Sequence, residues 1–128
     1  MEKEQFKMKF QCLMNELGFI TLQEDEYSLK YQNDKVYIQM FFGRLTEKPD
    51  IFIRFEDGEI PEQYNMSSML FLDDLNKGVN SLSGIEDVER LDKLINYFAN
   101  NHKSLLKKKN CKYSKIKLNK YIDETYHR

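Results

Sequence analysis

Between Tyr27 and Glu56 the side chains alternate in polarity with a period of two, and this pattern limits the chain more than any other feature. Tyr27, Leu29 and Tyr31 interleave with Ser28, Lys30 and Gln32. Val36, Ile38, Met40 and Phe42 interleave with Tyr37, Gln39, Phe41 and Gly43. Ile51, Ile53 and Phe55 interleave with Phe52, Arg54 and Glu56. Successive side chains of a strand point to opposite faces, so the first set in each run makes an apolar face that needs a cover. Asn33-Asp34 tolerates positive φ and predicts a two-residue hairpin pairing Tyr31 with Val36, Leu29 with Ile38 and Tyr27 with Met40.

The flanks read as helices that supply the cover. Over residues 2–17, Phe6, Phe10, Leu13 and Leu17 form one stripe with Met14 at its edge, and Gly18 suits a left-handed cap. Phe19–Leu22 reads as a first strand, followed by an acidic turn at Glu24-Asp25-Glu26. Residues 61–66 read as loop. Ser67 or Ser68 can cap a short helix carrying Leu70, Phe71 and Leu75, with a strand over Met69–Leu72 as the rival reading. Ser83-x-x-Glu86 has the form of a capping box. Behind it Ile85, Val88, Leu91, Leu94, Ile95, Phe98, His102 and Leu105 recur at helical spacing. The expectation is an α+β fold in two layers. A three- or four-stranded antiparallel sheet packs against an N-terminal helix and a long C-terminal helix. Residues 1–109 form one domain and 110–128 a basic tail or extension.

Charge is the strongest compositional signal. The 128 residues carry a net charge of −1. Residues 1–102 hold 11 basic and 19 acidic residues, a net of −8, and residues 103–120 hold eight lysines and no acid. Part of that lysine run complements the C-terminal end of the long helix dipole. No apolar run approaches the roughly 20 residues that span a bilayer, and Met1–Lys9 has no signal-peptide core, so a cytosolic location is expected. Cys12 and Cys111 have neither disulfide-framework nor zinc spacing.

Catalytic chemistry finds little support. His102 falls near an apolar stripe, where a boundary imidazole is commoner than a ligand, and His127 is next to the last residue. Neither belongs to a metal-binding motif. Asp73-Asp74 and Glu86-Asp87 are adjacent and therefore diverge. The five glycines are isolated and form no phosphate-cradling loop. No enzyme, cofactor or metal is expected.

Two surfaces remain. Asp50, Glu56, Asp57, Glu59 and Glu62 cluster at the ends of the third long strand. Tyr37, Phe41 and Phe52 share the second sheet face with Lys30, Gln39 and Arg54. Scattered acids usually serve solubility, and Ile116, Leu118 and Ile122 of the tail offer a cover for the aromatic face. Left open, aromatic anchors rimmed by charge have the composition of a protein interface. The alternative is nucleic-acid contact through Lys107, Lys108, Lys109 and Lys112. That run lacks arginine and follows an acidic body, which favours a solvated reading.

The helix ending Leu17-Gly18-Phe19, the tyrosine-rich alternating strands and the late Leu94-Ile95-Asn96-Tyr97-Phe98 resemble small cytosolic immunity proteins of bacterial toxin systems. The resemblance covers roughly residues 1–106 in element order. It implies a non-catalytic inhibitor that binds a toxin or effector domain, and it assigns no individual residue.

Overall fold

The computed structural model describes residues 3–56 and 62–107. The order is α1 (Lys3–Glu16), β1 (Ile20–Glu24), β2 (Ser28–Asn33), β3 (Val36–Phe41), β4 (Asp50–Phe55), β5 (Glu62–Asn65), α2 (Met66–Lys77) and α3 (Asp87–Leu105). The five strands form one antiparallel meander in the order β1-β2-β3-β4-β5. The α+β architecture is therefore as expected, with one strand more. β5 occupies residues read as loop from the sequence. It is four residues long and only Tyr64 is buried in it, too short for alternation to show.

All three helices contribute to a single core on one face of the sheet. Leu29, Tyr31, Ile38, Met40, Ile51, Ile53, Phe55 and Tyr64 meet Phe6, Phe10 and Met14 of α1, Met66 and Met69 of α2, and Leu91, Leu94, Ile95 and Phe98 of α3. Phe10 stands at the centre. Its ring lies edge-on to Tyr31 at 5.7 Å and tilted against Phe98 at 5.9 Å. The stripe on α1 is rotated slightly from expectation: Met14 is fully buried, and Leu13 and Leu17 pack at its margin. Gly18 takes φ +80 and turns the chain into β1, with Phe19 N–H donating to the Met14 carbonyl.

The β2–β3 hairpin pairs Asn33 with Val36, Tyr31 with Ile38 and Leu29 with Met40. This is a two-residue shift from the expected register. The turn falls on Asp34-Lys35, where Asp34 accepts φ +53. A shift of two keeps every side chain on its face, so the apolar layer is the one anticipated. The β1–β2 turn is held by Asp25, whose carboxylate accepts the Tyr27 and Ser28 N–H groups at 2.8 and 2.9 Å. Those backbone donors hold the Asp25 carboxyl below its ordinary value.

The capping box does not form. α3 begins at Asp87 with Glu86 as its N-cap and no side-chain cap bond. The preceding loop is anchored elsewhere: the buried Asp74 carboxylate accepts the Ser81 N–H at 2.8 Å and the Ser81 hydroxyl at 3.0 Å. Asp87 and Glu89 still complement the helix dipole. Tyr97 donates its hydroxyl to Asp73 at 2.7 Å, tying α3 to α2.

Among the described residues one buried side-chain group is unsatisfied. The Tyr31 hydroxyl has no hydrogen-bond partner among the described residues. Burial, and secondarily the charge of Glu24, pushes this phenol from 10 up to about 12. Above pH 10 the unfolded chain releases the proton while the folded chain keeps it. The contribution is thus complete below pH 10 and is lost as pH rises toward 12. Tyr31→Phe is expected to raise stability at pH 7 by about 1 kcal/mol, because it removes an unpaired buried polar atom. At pH 11 the gain should be larger, by on the order of 1 kcal/mol. Urea unfolding of both proteins at the two pH values checks this. A less stable Tyr31→Phe at pH 7 would mean the hydroxyl is bonded.

Candidate functional site

β3 and β4 alternate in register, each sending one set of side chains to the helices and the other set to the opposite face. Facing away from the helices, Gln39 pairs with Phe52, Tyr37 with Arg54 and Phe41 with Asp50. On the same face Lys30 is opposite Gln39 and Gln32 opposite Tyr37. On the β5 side Asn65 is opposite Phe52 and Gln63 opposite Arg54. This face, on which no described helix packs, is therefore aromatic along β3–β4 and amide-rich around them. Tyr37, Phe41 and Phe52 are half-buried. The Tyr37 hydroxyl accepts a hydrogen bond from Gln32 Nε2 at 2.9 Å. At the β1 margin Ile20 and Leu22 are 63% and 48% exposed. A concavity of about 230 Å³ crosses the face, lined by Leu22, Lys30, Tyr37, Gln39, Phe52 and Arg54 among others. Small-molecule pockets usually enclose 300–1,000 Å³, so this one suits a protruding side chain better than a metabolite.

The acidic residues do not join this patch as one surface. Asp50 is only 7% exposed. Its Oδ1 accepts the Ile51 N–H at 2.8 Å and the Ser67 N–H at 3.1 Å, while Oδ2 accepts Asn65 Nδ2 and the Ser67 hydroxyl. Asp50 thus caps the start of α2 from another strand and is withdrawn from any partner. The expected Ser67 cap is replaced by this arrangement, in which Ser67 donates. Glu56 is ion-paired with Arg54 on the same edge. Glu62 accepts the Tyr64 hydroxyl at 2.9 Å. Asp57 and Glu59 lie outside the described residues. Among the described residues the aromatic face is accordingly rimmed by Lys30, the Arg54–Glu56 pair and amides.

Lys107 is exposed just beyond α3. Lys108, Lys109 and Lys112 lie outside the described residues, as do Cys111, Ile116, Leu118 and Ile122. His102 takes the boundary role: its Nδ1 lies 2.9 Å from the Ala99 carbonyl one turn back. Among the described residues no three His, Cys, Asp or Glu side chains are grouped so as to hold a metal ion. No described helix is long and apolar enough to cross a membrane.

A second surface was not legible in the sequence. α1 and the edge strand β1 leave a groove of about 290 Å³ between them, lined by Glu4, Lys7, Met8, Cys12, Glu24 and Leu29 among others. Met8 is 69% exposed. Lys7 bridges Glu24 at 2.6 Å and Glu4 at 3.5 Å, and Glu24 raises the Lys7 ammonium above its ordinary value. Only the solvent-side position of Met8, off the α1 stripe, could have hinted at it.

No protein-family model matches the chain, and no match was found among curated proteins or solved structures.

Proposed function

We propose that the chain is a non-enzymatic protein-binding module of the immunity or inhibitor kind, which neutralises a toxin or effector domain by direct contact. The observation that carries this reading is the division of the sheet. One face is closed by three helices, and the other carries Tyr37, Phe41 and Phe52 with exposed Ile20 and Leu22 at its margin. A solvent-facing side of an antiparallel sheet is normally polar. Aromatic anchors beside a shallow concavity match the centre of a protein interface. Residues 1–102 carry a net −8 against the eight lysines of residues 103–120, and the acidic side of that asymmetric charge favours encounter with a cationic partner. The contact itself is assigned to the aromatic side chains.

The test is co-expression with the product of the neighbouring gene, followed by purification and size-exclusion chromatography. A stoichiometric complex that abolishes the toxicity of that product is expected. Absence of any complex, or binding instead to single-stranded nucleic acid with steep salt dependence, would overturn the reading.

A further inference from the structure

Two hairpins of the sheet turn on a residue with positive φ. Between β2 and β3 it is Asp34, at φ +53, a residue type that tolerates the left-handed region. Between β3 and β4 it is Leu45, at φ +56. There the Arg44 N–H donates to the Glu47 carbonyl at 3.1 Å and the Glu47 N–H to the Arg44 carbonyl at 2.9 Å. This bonding closes a two-residue loop of Leu45 and Thr46, whose first position normally holds Asn, Asp or Gly. A leucine in that conformation crowds its Cβ against the following carbonyl oxygen and destabilises the turn. Packing within the fold does not offset the cost, since Leu45 is 96% exposed, more than any other large apolar side chain among the described residues. One exposed leucine is ordinary on a protein surface, but a bulky residue at positive φ is an outlier. Strain of this kind persists where the surrounding structure enforces it, and it collects at functional sites. The base of the hairpin supplies the enforcement. On the outgoing limb the Phe42 N–H donates to the Tyr27 carbonyl at 2.7 Å, and the Arg44 guanidinium lies 4.9 Å from the centre of the Tyr27 ring. On the returning limb the Pro49 carbonyl accepts Arg90 Nε of α3 at 2.7 Å. Gly43, at φ +97, lets the limbs meet where a Cβ would stand 3.2 Å from both the Glu47 carbonyl oxygen and the Pro49 ring.

We propose that Leu45 is a preorganised anchor that inserts into an apolar pocket on the surface of the partner protein. The inference rests on the protein-binding reading and adds a second contact to it. The chemistry of the pocket follows from the side chain. Leucine offers no hydrogen bond, so the pocket is apolar. The neighbours Arg44, Thr46, Glu47 and Lys48 are all polar, so the pocket takes one aliphatic side chain and has a polar rim. A side chain already fixed in place loses little freedom on binding. The strain is also present in the free protein, so it does not subtract from affinity. Phe41, the last residue of β3 and a member of the aromatic face, precedes Leu45 by four positions. That is at most about 14 Å of chain, so one partner surface can meet both the face and the tip.

The test compares Leu45→Asn and Leu45→Met with the wild type, all as the full chain, by thermal unfolding and by calorimetric titration with the product of the neighbouring gene. Asparagine suits positive φ, so Leu45→Asn is expected to raise the melting temperature by about 4 °C. The same change should weaken the complex by at least about tenfold, the effect of denying one aliphatic side chain its transfer from water to an apolar site. Leu45→Met keeps an apolar side chain on the same strained backbone and should leave both quantities close to wild type. A variant that is more stable and binds less tightly has lost a contact surface, because a purely structural residue would move stability alone. A melting temperature below wild type for Leu45→Asn would overturn the proposal. A complex of unchanged affinity with Leu45→Asn sinks the anchor alone and leaves the immunity reading standing. Absence of any complex with the wild type sinks the immunity reading and the anchor with it.

Discussion

Phe10→Ala is expected to destabilise the fold by about 4 kcal/mol, the usual scale for deleting a fully enclosed aromatic ring. Phe10 is completely buried and touches both layers at once, Tyr31 on the sheet and Phe98 on α3. Its removal opens a cavity at the centre and forfeits two ring contacts. Phe6 and Met14 also hold α1 in the core, while the exposed Lys9–Asp92 pair is of a kind that contributes about 0–1 kcal/mol. Domains of this size are stable by about 5–15 kcal/mol, so the variant should be close to marginal. Urea unfolding followed by far-ultraviolet circular dichroism measures the change. A loss below about 1.5 kcal/mol would mean that α1 does not pack as described.

Asp50→Ala is expected to cost about 3 kcal/mol of stability. The carboxylate receives two backbone N–H groups, one amide and one hydroxyl. Losing a helix cap costs about 0.5–2 kcal/mol, and each buried donor left unsatisfied adds about 1–3 kcal/mol before relaxation. Asp50→Asn retains one acceptor oxygen and should cost less. Partner affinity of the folded fraction should not change. The opposite pattern, with stability kept and affinity lost, would return Asp50 to the contact surface where its charge and sequence position had placed it.

The contrast between these two residues shows what a sequence of this kind discloses. Phe10 is readable because its role is periodic: its spacing from Phe6 and Leu13 marks a helical face whatever that face meets. The apolar sets of β2, β3 and β4 are readable for the same reason, and their faces tolerate the two-residue register shift because that shift preserves parity. Asp50 is not readable, since its ligands Asn65 and Ser67 lie 15 and 17 residues away in sequence. As one acid among several at strand ends it looked like surface charge. Ser83 failed in the converse way. Its local motif was correct in composition, but the loop is fixed by Asp74 and Ser81, and α3 starts later. The β1 groove depends on how α1 lies along an edge strand, which no periodicity encodes.

The aromatic face was legible as a face, and the structure adds its setting: Tyr37 and Phe52 stand diagonally across β3 and β4, beside a concavity with cationic and amide margins. Calorimetric titration of the neighbouring gene product against the wild type and against Tyr37→Ala/Phe52→Ala tests the claim that this face is the contact. The prediction is a loss of at least about 30-fold in affinity, equivalent to one interface anchor of about 2 kcal/mol, with the double variant still cooperatively folded. Equal affinity for the two folded proteins would contradict it.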